Sequence, residues 1–267
     1  MSNTYDLDTA KALAFVYRMY LSSTKTGNVF GMRASEVVRV LKRFGYPVLT
    51  VKEQGLRKVA RVTNRGAFNK KELTPESKYW IGFILADGHI KSGPSPALTI
   101  ALQKRDGDHL KKLAKFLGSS RIPKLYPNRN MNTTAFHFYE GDPDIIEDLR
   151  ENGITPKKSL TAKVPEHLQS SKDFWRGVID GDGSIGETTL KRPRIRLVGT
   201  RDVCESFREF CKSIAPTRAT VRPHSNIFTF ELVGTSSLIV MNQLYNNSPI
   251  HLDRKFDTYN DLIRRYK

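Results

Sequence analysis

From Thr9 to Leu21 the apolar residues Leu13, Val16, Tyr17 and Tyr20 fall at steps of three and four, which predicts an amphipathic helix. Ser22–Gly31 is polar, contains glycine and reads as a connection. A second helical period runs from Arg33 to Phe44. Val37, Val40, Leu41 and Phe44 share its apolar face, and Arg33, Arg39, Lys42 and Arg43 lie away from it. Gly45 supplies a C-terminal cap and Pro47 prevents resumption. Val48–Val51 predicts a short strand. Between Lys52 and Lys71 periodicity fades, and seven basic residues stand against Glu53, the composition of a basic linker.

Thr74, Pro75 and Glu76 predict a helix start: a hydroxyl cap, a first-turn proline and a carboxylate at the positive helix end. Alternation over Pro96–Gln103 predicts a strand. Asp108–Leu117 predicts a helix built on Leu110, Leu113, Phe116 and Leu117. Ile122–Tyr126 and Thr134–Tyr139 read as a hairpin around Pro127-Asn128-Arg129-Asn130, followed by a helix over Asp144–Asn152 that Gly153 ends. The same order then returns. A helix over Ser171–Gly181 precedes a strand over Arg194–Val198 and a helix over Val203–Ile214. A hairpin of Arg218–Arg222 and Ile227–Leu232 and a helix over Thr235–Tyr245 follow, and Gly153–Ser159 finds its match in Ser248–Lys255. The pattern is a duplicated α-β-β-α-β-β-α-like unit, an α+β fold whose halves should pack about a pseudo-twofold axis.

The helix that opens each half repeats in detail. Trp80-Ile81-Gly82-Phe83-Ile84-Leu85-Ala86-Asp87-Gly88 is echoed 95 residues later by Trp175-Arg176-Gly177-Val178-Ile179-Asp180-Gly181-Asp182-Gly183. Gly82 and Ala86, like Gly177 and Gly181, are four apart, so each pair removes bulk from one helix face. Two such faces can meet backbone to backbone. A glycine inside a helix costs about 0.5–1 kcal/mol relative to alanine, so its placement argues for close packing. Asp87 and Asp182 then emerge together at C-terminal helix ends, where the macrodipole is already negative. Two carboxylates meeting there repel one another, and a divalent cation such as Mg²⁺ relieves both problems. An EF-hand over Asp180-Gly181-Asp182-Gly183-Ser184 is excluded, because Ile185 and Lys191 stand where that loop needs Gly and Glu. A single Asp-Gly would mean only a turn.

Charge narrows the partner. The 267 residues carry a net charge of +17, pointing to a polyanion, nucleic acid before anionic membrane. The first 75 residues hold 14 Lys and Arg against 5 Asp and Glu, so a front module has its own basic surface. Its helix, connection and basic helix have the order of a helix-turn-helix unit, with Arg39 and Arg43 placed to meet DNA; the plainer reading is a helical cap with a solvated charged face. In the second half Arg194 and Arg196 alternate with Ile195 and Leu197, and Arg218 and Arg222 with Ala219 and Val221. The apolar members face the helices, so the arginines face out, either to read guanine in a major groove or simply to be solvated. No apolar run reaches the ~18 residues of a membrane span, and the N-terminus lacks a secretory pattern. Cys204 and Cys211 read as reduced packing thiols. The expected location is therefore a cytoplasm, bacterial or phage-infected, or an organelle, and the protein is not expected to be secreted.

The two repeated segments resemble the paired LAGLIDADG motifs of the single-chain homing endonucleases, and the likeness covers about residues 74–267. It implies an αββαββα core in each half, motif helices at the interface, and two four-stranded sheets forming a saddle over DNA. The last motif acid of each half, Asp87 and Asp182, would bind Mg²⁺ or Mn²⁺. Ala86 is given no ligand role. Leu85 and Asp180 occupy an earlier acidic position that varies in such proteins. Gln103, near the end of the first long strand, would position water; its second-half counterpart is Gly199 or Thr200. Lys158 and Lys255 would approach the scissile phosphates, or make only generic phosphate contacts, or be merely solvated. The implied activity is site-specific hydrolysis of both DNA strands by in-line attack of a metal-activated water, across the minor groove. It leaves 3′-hydroxyl and 5′-phosphate ends with 3′ overhangs. A monomer acting on a long, pseudo-asymmetric site is implied, of the kind mobile genetic elements encode. The expected boundaries are 1–72 for the front module and linker, 73–167 for the first half and 168–267 for the second. An RNA maturase or a non-catalytic regulator on the same fold are the alternatives, and both retained aspartates favour the nuclease. The absence of splice-junction residues at the ends argues against an intein.

Overall fold

In the computed structural model, residues 5–50, 62–128 and 133–266 are described. The chain divides into two compact units, residues 1–60 and 61–267.

The first unit holds three helices: α1 (Leu7–Tyr20), α2 (Ser23–Phe30) and α3 (Ala34–Arg43). Helix α2 lies where the sequence reads as a connection. It buries only Thr26 and Gly27, so it carries no apolar period; its ends define it instead. The Ser22 hydroxyl accepts from the Lys25 amide, and Gly31 closes the helix at φ +65°. A Cβ on Gly27 would lie 2.3 Å from the Met32 carbonyl oxygen, so glycine there permits a tight turn into α3. Ala10, Leu13, Tyr17, Val37, Val40 and Leu41 form the core. Arg39 and Arg43 lie on the exposed side of α3. Residues 46–50 are irregular rather than a strand, and the Leu49 amide donates to the Tyr17 hydroxyl. Val51 and the Lys52–Arg61 part of the expected linker lie outside the described residues. Residues 62–72 pack on the larger unit: Val62 bridges to Ser119, the Asn64 amide group donates to the Phe116 carbonyl, and Phe68 is buried.

The larger unit is α+β and duplicated. Its first half contains α4 (Pro75–Asp87), β1 (Gly88–Lys91), β2 (Ala97–Gln103), α5 (Gly107–Phe116), β3 (Lys124–Asn128), β4 (Thr133–Glu140) and α6 (Pro143–Glu151). The second contains α7 (Lys172–Asp182), β5 (Gly183–Glu187), β6 (Pro193–Gly199), α8 (Arg201–Lys212), β7 (Arg222–His224), β8 (Ile227–Val233), α9 (Thr235–Tyr245) and α10 (Asp253–Tyr266). Each half forms a four-stranded antiparallel sheet in the same order, β1-β2-β4-β3 and β5-β6-β8-β7. Apolar residues from both halves make one continuous core. No described helix is long and apolar enough to cross a membrane.

Three further features, in this unit, depart from the sequence reading. The short strands β1 and β5 begin at the glycine of each Asp-Gly and are too short to show a period. Helix α10 extends beyond the last predicted element, although Phe256, Tyr259 and Leu262 keep helical spacing. Arg218–Val221 is irregular, and β7 begins only at Arg222. The Ala219 amide there donates to the Thr217 hydroxyl, and its carbonyl accepts from Arg208, so local bonds replace a strand ladder. Even so, Arg218, Thr220 and Arg222 are exposed while Ala219 and Val221 pack on the core. The tip of the β3–β4 hairpin, including Arg129 and Asn130, lies outside the described residues.

Candidate active site

Helices α4 and α7 meet along their glycine faces. Thr74 and Ser171 cap their N-termini, each hydroxyl accepting an amide three residues on. A Cβ on Gly82 would sit 2.1 Å from the Phe174 carbonyl oxygen; one on Gly177 would sit 2.0 Å from that of Tyr79. Both contacts relate by the 95-residue offset, so the contact has the pseudo-twofold symmetry of the duplication. The helices therefore touch backbone to backbone, and their C-termini arrive side by side. A Cβ on Gly181 would lie 2.3 Å from the Ala86 Cβ and 3.4 Å from Asp87 Oδ2, placing that carboxylate against the last turn of α7. Asp182 ends that turn.

The electrostatics fit a site short of positive charge. Burial raises the Asp87 carboxyl to a pKa of about 6, the neighbouring Asp182 adds to the rise, and Lys255 and Lys158 oppose it. Burial likewise raises Asp182 against the pull of the same two lysines. The repulsion belongs to the pair, and we assign it to both carboxylates. Among the described residues no cluster of three or more His, Cys, Asp or Glu forms. A pair of carboxylates nonetheless suits Mg²⁺, which keeps several waters and is commonly held by one or two carboxylates. The hard oxygen donors and a repulsion that the two lysines relieve only in part thus fit a divalent cation.

No protein-family model matches the sequence, and no curated protein is similar to it. Solved structures are similar in fold. The homing endonuclease I-WcaI bound to its DNA recognition sequence superposes with a TM-score of 0.53 at 13% identity, covering 71% of this chain and 90% of that one. The meganuclease I-SmaMI bound to uncleaveable DNA gives a TM-score of 0.48 at 11% identity, covering 72% and 88%. The chain has the fold of the LAGLIDADG homing endonucleases.

Within the LAGLIDADG fold the remaining candidate residues fall around the two aspartates unequally. Lys255, 4% exposed, projects from the first turn of α10 onto the end of α7. Its ammonium donates to the carbonyls of Ile179 (2.5 Å), Asp180 (2.8 Å) and Gly183 (2.6 Å), and more distantly to Gly181 (3.5 Å). A cation there meets carbonyls at a helix end, that of Ile179 also accepting from the Gly183 amide, and opposes the dipole. Burial lowers its pKa to about 8. Lys158 is also buried, and burial lowers it while Asp182 and Asp87 support its charge. No described residue accepts a hydrogen bond from its ammonium. Lys158 and Asp182 share a cavity of about 370 Å³ with Gly199, Thr200 and Asn226.

Gln103 is exposed at the end of β2. The registers Gly88 with Ile100 and Gly183 with Leu197 make Thr200, not Gly199, its counterpart. The Thr200 hydroxyl is committed: it caps α8 through the Val203 amide and donates to the Ala162 carbonyl at 2.7 Å. Arg194 and Arg196 lie on the open face of β6, opposite buried Ile195 and Leu197. Arg218 and Arg222 line the same concavity as Arg196.

A polar network at the interface escaped the sequence reading. Asp180, 1% exposed, accepts from the Tyr79 hydroxyl, the Tyr245 hydroxyl and the Leu252 amide, all at 2.7 Å. Its carboxyl is raised by burial against these bonds and Lys255. Since Tyr79 donates to Asp180, His109 Nε2 is the donor to Tyr79 at 2.8 Å. Beside it Arg176, 1% exposed, donates to the carbonyls of Ile250 and Leu244 and to Asp173. These bonds tie the segment before α10 to α7, and so hold Lys255 in place. The available signals were Asp180, an acid of the motif, and Arg176, a charge inside an apolar helical run.

Proposed function

We propose that this protein is a site-specific double-strand DNA endonuclease that hydrolyses phosphodiesters with Mg²⁺ or Mn²⁺ and leaves 3′ overhangs. The observation that carries the reading is the pair of partly desolvated carboxylates, half-buried Asp87 and more open Asp182, brought together by glycine-faced helices with Lys158 and Lys255 acting on both. Asp87 and Asp182 would hold the cation, and their desolvated repulsion favours its binding. A bound divalent cation would supply charge neutralisation at the phosphate and a water of lowered pKa. Lys158, whose ammonium has no acceptor among the described residues, would meet a phosphate oxygen. Lys255 holds the end of α7, and with it Asp182, in position against its own dipole. The two sheets supply outward polar faces for DNA. The first unit, whose α2 and α3 meet at a tight turn with Arg39 and Arg43 exposed, adds a helix-turn-helix contact, and one copy of the chain suffices because it carries both motifs.

The test is a cleavage screen of a randomised duplex library in Mg²⁺, followed by nicking and binding assays on the selected site. Asp87→Asn or Asp182→Asn should abolish double-strand cleavage while binding persists. Wild-type cutting by both variants would overturn the assignment of the two acids.

A further inference from the structure

The two sheets share one register but not one chemistry. Ile100 pairs with Phe138 in the first, and Leu197 pairs with Phe230 in the second. Aligning these pairs makes Thr99 the counterpart of Arg196, and Tyr139 that of Glu231. The edge pairs Lys124 with His137 and Arg222 with Thr229 make Lys124 the counterpart of Arg222. The open face of the second sheet thus bears Arg194, Arg196 and Arg222. Among the described strand residues of the first sheet there is no arginine. Its open face offers Thr99, Ala101, Gln103, Tyr126, His137 and Tyr139, with Lys124 as its cation where the second sheet has Arg222.

Arg196 is also preorganised. Its Nε donates to Thr229 Oγ1 at 3.0 Å, and that hydroxyl donates on to the Leu197 carbonyl at 3.1 Å. The bond fixes the plane of the guanidinium, whose Nη2 also lies 3.5 Å from His224 Nε2, and the group lines a concavity of about 470 Å³. A fixed guanidinium fork matches O6 and N7 of guanine, whereas threonine and alanine methyls suit the thymine methyl, and glutamine suits adenine N6 and N7.

Resting on the DNA-endonuclease reading above, we propose that the target is polarised in composition. Guanines lie in the half-site over β5–β8, and A·T pairs lie in the half-site over β1–β4. The distinction is set by Arg196 against Thr99 at equivalent positions.

The experiment selects duplexes bound by the full chain from a random library in EDTA, where binding is read without cleavage. It then repeats the selection with Arg196→Thr, Arg196→Lys and Thr99→Arg. The expected wild-type pool has guanines concentrated in one half and A·T pairs in the other. Arg196→Thr should reduce discrimination at one or two of those G·C pairs by about tenfold. Arg196→Lys should keep overall affinity but relax the same base pairs, since it retains charge and loses the fork. Thr99→Arg should create a guanine preference in the A·T half. A pool with defined sequence but equal composition in both halves, or one that these variants do not change, overturns the polarity while leaving the endonuclease reading intact. Failure to bind any duplex overturns the endonuclease reading itself.

Discussion

Protonating His109 would place a charge beside Trp80 and Phe83, whose rings lie 4.8 Å from its own, with no carboxylate among the described residues in ion-pair contact with it. Burial therefore lowers its pKa to about 3. The unfolded chain binds the extra proton below about pH 6.5 and the folded chain does not, so His109 makes stability rise with pH between these values and fall on acidification. The slope approaches about 1.4 kcal/mol per pH unit below the unfolded pKa. Urea unfolding at pH 7, 6 and 5 should show a steeper loss for the wild type than for His109→Gln; equal losses would remove His109 as the cause. Asp180→Leu, which copies Leu85 of the other half, should destabilise the fold by about 3 kcal/mol, because Tyr79, Tyr245 and the Leu252 amide each lose a buried acceptor. A shift in urea midpoint checks it. Asp180 was visible in the sequence as a motif acid. Its partners come from up to 101 residues away, and no periodicity announces such a meeting.

At the scale of elements, the α4–α7 contact makes the sharpest demand. Gly177→Ala puts a methyl 2.0 Å from a carbonyl oxygen and should cost about 1–3 kcal/mol by forcing the helices apart. Gly186→Ala meets nothing within 4 Å and should stay within about 0.5 kcal/mol. Melting temperatures of the two variants separate close packing from a general cost of losing glycine. This contact was legible because small residues four apart repeat twice, and the long amphipathic helices were legible from their stripes. Helix α2 was not, since its polar sequence is organised by Ser22 and Gly31 at its ends. The end of β6 could not be placed either, because choosing Thr200 over Gly199 needs the pairing register.

For the whole molecule, the net charge of +17 makes ionic strength the main variable. DNA affinity should fall with salt, log K against log salt having a slope of roughly −0.9 per phosphate contacted. A flat dependence would remove DNA as the partner. Residues 61–267 form their own compact unit, so a chain starting at Arg61 should fold and still cleave, with weaker binding and a shorter protected footprint. Identical binding would limit the first unit to a structural part. The basic excess at the front was plain from composition, but the inclusion of residues 62–72 in the larger unit was not, because it depends on Phe68 and on hydrogen bonds to residues 116–119.

The clamp of Lys255 on α7 has a consequence for biosynthesis. Translation runs from the N-terminus, so both aspartates exist before the lysine that steadies the end of their second helix. A nascent chain ending at Leu252 already carries Asp87 and Asp182, yet the carbonyls of Ile179, Asp180 and Gly183 lack their cation. The end of α7 is therefore braced only when α10 docks, and an unfinished copy lacks that brace.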